Sequence, residues 1–403
     1  MNQPTIKESS PFTPGRPVPK EFFEGRVEEF NRAVQLIKKT AAGNSENLYI
    51  AGERGIGKSS FANVVKSFAE EKEDFITAYV SLGGINHLEG MADKIFSCLV
   101  QDNQDRSFFG QLKQLFKGHI KEVGIGQLSI QLDFTEQDKK AMVSGFLPLL
   151  HKIFTELKDR KGILIVLDDI NGLAKNQDFA NYLKSLVDQN AVSRKPLPLL
   201  LILCSIPERK EELISMQESV SRIFYPLTLS KMDDDEVEKF YQRAFKSVNH
   251  KFDDRALGIM SLFSGGYPVL MQEIGEATYY QDQDFTIDVE DADNGILKAA
   301  KIVGEKYLQP KVIDAIRSRA YHSILAKLVK GGTIRSRFSK EEMKKECTPD
   351  EIKVFDNFMR KMKSLGVIRQ GEKSGEYQFT NLLYPFYFST HAKYKKPLTW
   401  NEY

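Results

Sequence analysis

Two rhythms of apolar residues run through the first part of the chain. Residues 47–51, 162–167 and 199–204 are short runs that are apolar almost throughout, and residues 75–82 alternate. Runs of this length, apolar on both faces, predict strands buried in a parallel sheet. Between them the spacing changes to that of helices. Phe30, Ala33, Val34 and Ile37 share one face, and Phe61, Val64, Val65 and Phe68 share another. Strands separated by helices predict an α/β architecture. A long insertion, about 86–140, interrupts this alternation. It predicts helices near 91–100 and 108–120 and a hairpin within 123–132. The hairpin includes Gly124-Ile125-Gly126, which opens no helix and so reads as a turn rather than a nucleotide loop. A helical stretch over 139–157, kinked at Pro148, leads back to the sheet.

After Leu229 the pattern is helical, with segments at 234–245, 253–263 and 269–280. The acidic run Asp233-Asp234-Asp235-Glu236 stands at the first of these starts, where Glu236 three residues after Asp233 predicts a capping box, not a catalytic cluster. From residue 312 a different module begins. A helix to 329, a glycine pair, a short helix from 339 and a long one over 349–365 precede short strands at 367–370 and 376–379, joined by a Gly/Lys/Ser turn. Three helices and a two-stranded hairpin outline a winged helix. The organisation predicted is a disordered lead-in (1–20), an α/β core (21–230), a helical lid (231–310), a winged helix (311–390) and a tail (391–403).

Charge sharpens this division. The 403 residues carry 57 basic and 55 acidic side chains, yet residues 311–403 hold 19 basic and 10 acidic ones, a net of +9. Residues 1–310 are correspondingly −7. The asymmetry predicts an anionic partner for the C-terminal part. Three scattered cysteines exclude a disulfide framework and a CxxC knuckle, and fit a reducing cytoplasm. The six histidines show no HxxxH spacing, so no metal centre built from protein side chains alone is predicted. No apolar run approaches the about eighteen residues of a membrane span. Residues 1–19 are polar and proline-rich, with no apolar core of a signal peptide.

The chemistry concentrates in two places. Gly52-Glu53-Arg54-Gly55-Ile56-Gly57-Lys58-Ser59, followed by Ser60, fits GxxxxGK[ST] between a predicted strand and a helix. Its glycines let backbone N–H groups turn toward phosphate oxygens, and the helix start adds its positive end. Lys58 can reach the β- and γ-phosphates of ATP, and the Ser59 hydroxyl can ligate Mg²⁺. The strand at 163–167 then delivers Asp168 and Asp169 at its end. Two carboxylates there suit one acid on the Mg²⁺ side, Asp168, and one that orients the attacking water, Asp169.

These residues resemble the AAA+-related P-loop ATPases of the STAND and origin-recognition type, over roughly residues 20–390. The resemblance implies several further assignments. Phe23-Glu24-Gly25-Arg26 matches the lead-in that lies beside the adenine. Gly266-Tyr267-Pro268 matches a GxP turn of the lid, Ser205 a polar sensor after the fourth strand, and Ser221-Arg222-Ile223-Phe224 the segment bearing an arginine that acts in trans. Asp169 is one methylene shorter than the usual glutamate, which implies slow hydrolysis. The implied protein is an ATP-driven switch that forms homo-oligomers on ATP binding and acts through a separate effector protein. The alternatives are a DNA loader of origin-recognition type and a nucleotide-locked scaffold without turnover. On the helix over 350–365, Lys353, Asn357, Arg360 and Lys361 share a face opposite Phe355, Phe358, Met362 and Leu365. With Lys373 in the wing, that face offers contacts to double-stranded DNA or to a protein.

Overall fold

The computed structural model describes residues 9–104, 106–123, 129–157, 159–329, 337–371 and 373–391, with only the backbone described for 120–123 and 129–131. The tip of the predicted hairpin, the glycine pair at 331–332 and most of the predicted tail lie outside them. The chain divides into two compact units, Pro17–Ser230 and Met1–Arg16 with Lys231–Tyr403.

The first unit is built on five parallel strands: β1 (Glu46–Ala51), β2 (Ile76–Ser81), β3 (Ile163–Asp168), β4 (Leu199–Ser205) and β5 (Tyr225–Thr228). Their order is β2–β3–β4–β1–β5. Every residue of β3 and β4 is buried, which is why those runs carry no alternation. The register sets Ala51 opposite Ser205 and Ser81 opposite Asp168, so the carboxyl ends of these strands finish level with one another. β1 lies between β4 and β5, parallel to both, and the order of strand addition switches sides there; open α/β sheets bind ligands at such switch points. Helix Lys58–Glu73 follows β1 and packs Phe61, Ala62, Val65 and Ala69 inward.

In the insertion, helices Leu88–Gln101 and Phe109–Leu115 precede the hairpin strands Ile120–Val123 and Ser129–Leu132. The predicted kink at Pro148 is not observed. The helical stretch breaks instead at Gly145, between Glu136–Ser144 and Phe146–Glu156. Pro148 then falls in the first turn of the second helix, where no intrahelical N–H bond is lost.

The second unit begins with helices Asp234–Ser247, Asp254–Ser264, Pro268–Tyr279 and Val289–Val303. Asp233 and Glu236 form the reciprocal capping box that their spacing predicts. The helix predicted over 312–329 is two elements. A wide π-type turn spans Gly304–Ile313, and Ser318 caps a new helix, Arg319–Leu328. Helices Lys340–Lys345 and Pro349–Ser364 follow. The sheet beside them has three antiparallel strands, Arg337–Ser339, Glu376–Phe379 and Ile368–Gln370, in that order. The three-residue strand Arg337–Ser339 and the closing helix Leu383–Thr390 carry no periodicity long enough to predict. Tyr377 stacks on Phe338, and Phe379 is buried. Among the described residues no helix is long and apolar enough to cross a membrane.

The expectation of a disordered lead-in is overturned for its described part, 9–20. Phe12 is 3% exposed and packs among Phe240, Tyr241 and Phe245 at ring separations of 5.3–6.2 Å. It lies on Gly275, where a Cβ would come within 2.3 Å of the ring. The Thr13 N–H donates to Gln272 Oε1 at 2.6 Å, and the Val18 N–H donates to Ser60 Oγ at 3.1 Å. A single aromatic side chain, matched to a glycine-floored pocket more than two hundred residues away, outweighs the proline content around it. Phe12→Ala should therefore cost about 3 kcal/mol or more of unfolding free energy. Urea unfolding of the full chain checks this, with a lowered midpoint at unchanged slope for the transition of the second unit.

Candidate functional site

The loop after β1 is shaped by glycine. Gly55 and Gly57 have φ of 78° and 92°, the left-handed region that side chains disfavour. A Cβ on Gly52 would meet the Ile56 methyl at 2.8 Å and the Leu229 carbonyl at 3.0 Å. The resulting turn leaves the N–H groups of Gly55, Gly57, Lys58 and Ser59 without a protein acceptor among the described residues. Four unpaired amides at a helix start form a cradle for an anion. Lys58 folds back over the loop, donating to the carbonyls of Gly52 at 2.7 Å and Glu53 at 2.9 Å. Burial lowers its pKa from the ordinary lysine value, while Asp168 and Asp169 pull it upward.

The loop and β3 are already joined. The Ser59 hydroxyl donates to Asp168 Oδ2 at 2.6 Å, and the Tyr79 hydroxyl donates to the same oxygen at 2.5 Å. Asp168 Oδ1 accepts from the Asp169 N–H at 2.9 Å. Three donors hold this buried carboxylate in one orientation, and burial beside Asp168 raises the pKa of Tyr79. Asp169 has a left-handed backbone, φ 56°. Its Oδ1 accepts from the Asn171 amide, and Oδ2 lies where a Cβ on Gly83 would come within 3.1 Å. The Ile206 N–H donates to Asn171 Oδ1 at 3.4 Å, so Asn171 spans from Asp169 to the end of β4.

The structure thus brings Gly52–Ser59, Asp168 and Asp169 into one cluster and treats the other predicted residues differently. Arg26 is 5% exposed, and its guanidinium donates to the carbonyls of Ile56 at 2.9 Å and Ser230 at 2.8 Å. It braces the loop from behind, and with Gly25 it adopts positive φ. Ser60 accepts from Val18. Ser205 is fully buried, pairing with the Tyr49 hydroxyl at 2.8 Å and donating to the Ile206 carbonyl at 2.9 Å. A hydroxyl committed on both sides is not free for a phosphate in this conformation. Arg222 is exposed just before β5, donates to Ser219 Oγ at 3.1 Å and touches none of Lys58, Asp168 or Asp169. Pro268 belongs to the second unit. It starts its helix after Gly265 and Gly266, where a Cβ on Gly266 would sit 2.1 Å from the Met232 carbonyl. Tyr79 and Asn171 had no sequence signal, since one alternates within a strand and the other follows the acid pair unremarked.

Sheet order, glycine loop and acid-tipped β3 together define a P-loop NTPase core. Residues 42–209 match the family described as an AAA domain. No curated protein sequence matches the chain significantly. By fold the chain is similar to a Walker-type ATPase of Pyrococcus abyssi, with 17% identity and a TM-score of 0.55 over 90% of this chain and 95% of that one. It is also similar to the ORC2 protein of Aeropyrum pernix, solved with ADPNP and ADP, with 14% identity and a TM-score of 0.53 over 91% of this chain and 93% of that one. At these identities the likeness concerns the fold.

Proposed function

We propose that the protein binds ATP with Mg²⁺, hydrolyses it slowly, and uses the two nucleotide states to reposition its C-terminal module, a winged helix, toward a partner. The observation that carries this reading is the Ser59–Asp168 hydrogen bond of 2.6 Å beneath four unpaired loop amides. Because Ser59 spends its proton on Asp168, its oxygen lone pairs remain for a cation. Asp168 already takes three hydrogen bonds, so it serves a cation through water rather than directly. Mg²⁺, when bound, would neutralise charge on the terminal phosphates. Lys58 would exchange its two loop carbonyls for phosphate oxygens. Asp169 would orient water, after release from Asn171.

The finer assignments extend this reading. Gly25 and Arg26 support the loop beside the base. Gly266-Tyr267-Pro268 belongs to a lid of the STAND or origin-recognition kind, and Arg222 is an exposed cation placed for a neighbouring copy in an ATP-bound homo-oligomer. All three cysteines are free, in keeping with a cytoplasmic protein. A separate effector protein supplies any further chemistry, and the basic module engages that protein or duplex DNA.

Measuring ATP turnover against protein concentration tests the scheme. Specific activity should need Mg²⁺ and should rise with concentration in the wild type. In Arg222→Ala it should be low and independent of concentration. Concentration-independent activity in both proteins would remove the trans arginine, and no turnover in either would leave a scaffold.

A further inference from the structure

The cations of the C-terminal module are not equivalent. Lys353 pairs with Asp350 at 2.8 Å, Lys340 and Lys344 converge on Asp356 at 2.9 and 3.2 Å, and Lys327 binds Glu351. Asp350, Glu351 and Asp356 all stand on the N-terminal half of helix Pro349–Ser364. That half therefore presents three carboxylates, each paired with a lysine of its own or a neighbouring helix, and its charge is locally balanced.

Arg317, Arg360 and Lys361 behave otherwise. Among the described residues none of the three has a carboxylate within 4.0 Å, and all three line one cavity of about 620 Å³. Ser318, Asn357 and Ser364 supply hydroxyl and amide groups to its wall, and no acidic residue lines it. The Arg360 guanidinium donates to Asn357 Oδ1, which fixes its plane. Ser318 caps the ten-residue helix Arg319–Leu328, whose positive end opens at the cavity. Tyr321, on the same wall, is held edge-on to Phe358 at 5.4 Å and presents an aromatic surface beside the cations.

From this convergence we infer that the cavity is a second phosphate site, distinct from the loop after β1, and that it takes a small, multiply phosphorylated ligand of nucleotide size. Three cations without carboxylate partners around one cavity favour a ligand that brings at least two negative charges close together. A volume of about 620 Å³ lies within the range of roughly 300–1,000 Å³ typical of small-molecule sites. Arginine forks and hydroxyls match phosphate oxygens in geometry, and the tyrosine ring suits a base or another flat group. Arg317 could not be associated with the helix from sequence, because more than forty residues separate it from Arg360.

The test uses inorganic tripolyphosphate as the probe and the full chain with Lys58→Ala, which disables the loop. Isothermal titration near physiological salt should show tripolyphosphate binding in that protein. Adding Arg317→Ala and Arg360→Ala should weaken it by about tenfold or more, since each arginine contributes charge-assisted hydrogen bonds. In the wild type the same two substitutions should lower the stoichiometry from two sites to one, a readout that survives if Lys58→Ala folds poorly. Equal tripolyphosphate affinity with and without the arginines would overturn the proposal. So would weakened binding of a labelled DNA duplex on losing the arginines with no change for tripolyphosphate, which would make the cavity part of a nucleic-acid surface.

Discussion

Lys58→Ala should abolish measurable binding of a fluorescent ATP analogue, a loss of roughly a hundredfold or more. The ammonium is a full positive charge held over the loop by two backbone carbonyls that phosphate oxygens can replace. Charge-assisted hydrogen bonds to a polyphosphate are each worth about 1.5–3 kcal/mol, so losing two reaches this magnitude. The pH dependence has a defined sign. Only the protonated amine binds phosphate, and burial lowers its pKa, so affinity should fall on the alkaline side earlier than an ordinary lysine would require. Unchanged affinity in Lys58→Ala would remove the nucleotide reading as a whole.

Asp169→Asn should keep ATP and lose turnover by about 10²–10³-fold, the usual contribution of a group that positions or deprotonates water. Asparagine retains the size and tolerates the left-handed backbone, so the change isolates the charge. Asp168→Asn should act on the other step. It removes the negative charge and turns one of two accepting oxygens into an NH2 donor, so the three donors of Ser59, Tyr79 and Asp169 can no longer all be accepted and Mg²⁺-dependent nucleotide binding should weaken while metal-free binding changes little. Equal single-turnover rates for wild type and Asp169→Asn would leave the protein a nucleotide-locked scaffold.

The core was legible because its signals are local. A strand buried on both faces must be apolar throughout, as β3 and β4 are, and a loop that exposes its amides must place glycine where φ is positive. The capping box at Asp233 declared itself within four residues. What escaped reading depends on partners distant in sequence. Tyr79 meets Asp168 from 89 positions away, and Tyr49 meets Ser205 from 156. Neither pairing leaves a trace in periodicity, and the second engages the serine at the end of β4 whose position recommends it as a polar sensor. Phe12 is the same case at greater range. Proline and polar residues around it describe the unfolded segment well, but they say nothing about a pocket that the chain assembles later. The break at Gly145 shows the converse, since a proline constrains a helix only where an N–H is missed.

The left-handed turn at Asp169 also narrows the paths open to the sequence over evolutionary time. At φ 56° short polar side chains are accommodated, and longer acids are held at a penalty of about 1–2 kcal/mol. Replacing this aspartate by glutamate, the single codon change that would lengthen the acid by one methylene, therefore meets resistance from the main chain before any effect on chemistry is felt. On the proposed function, a slow clock is written into the backbone at this position. Selection for a faster one would have to begin by rebuilding the turn.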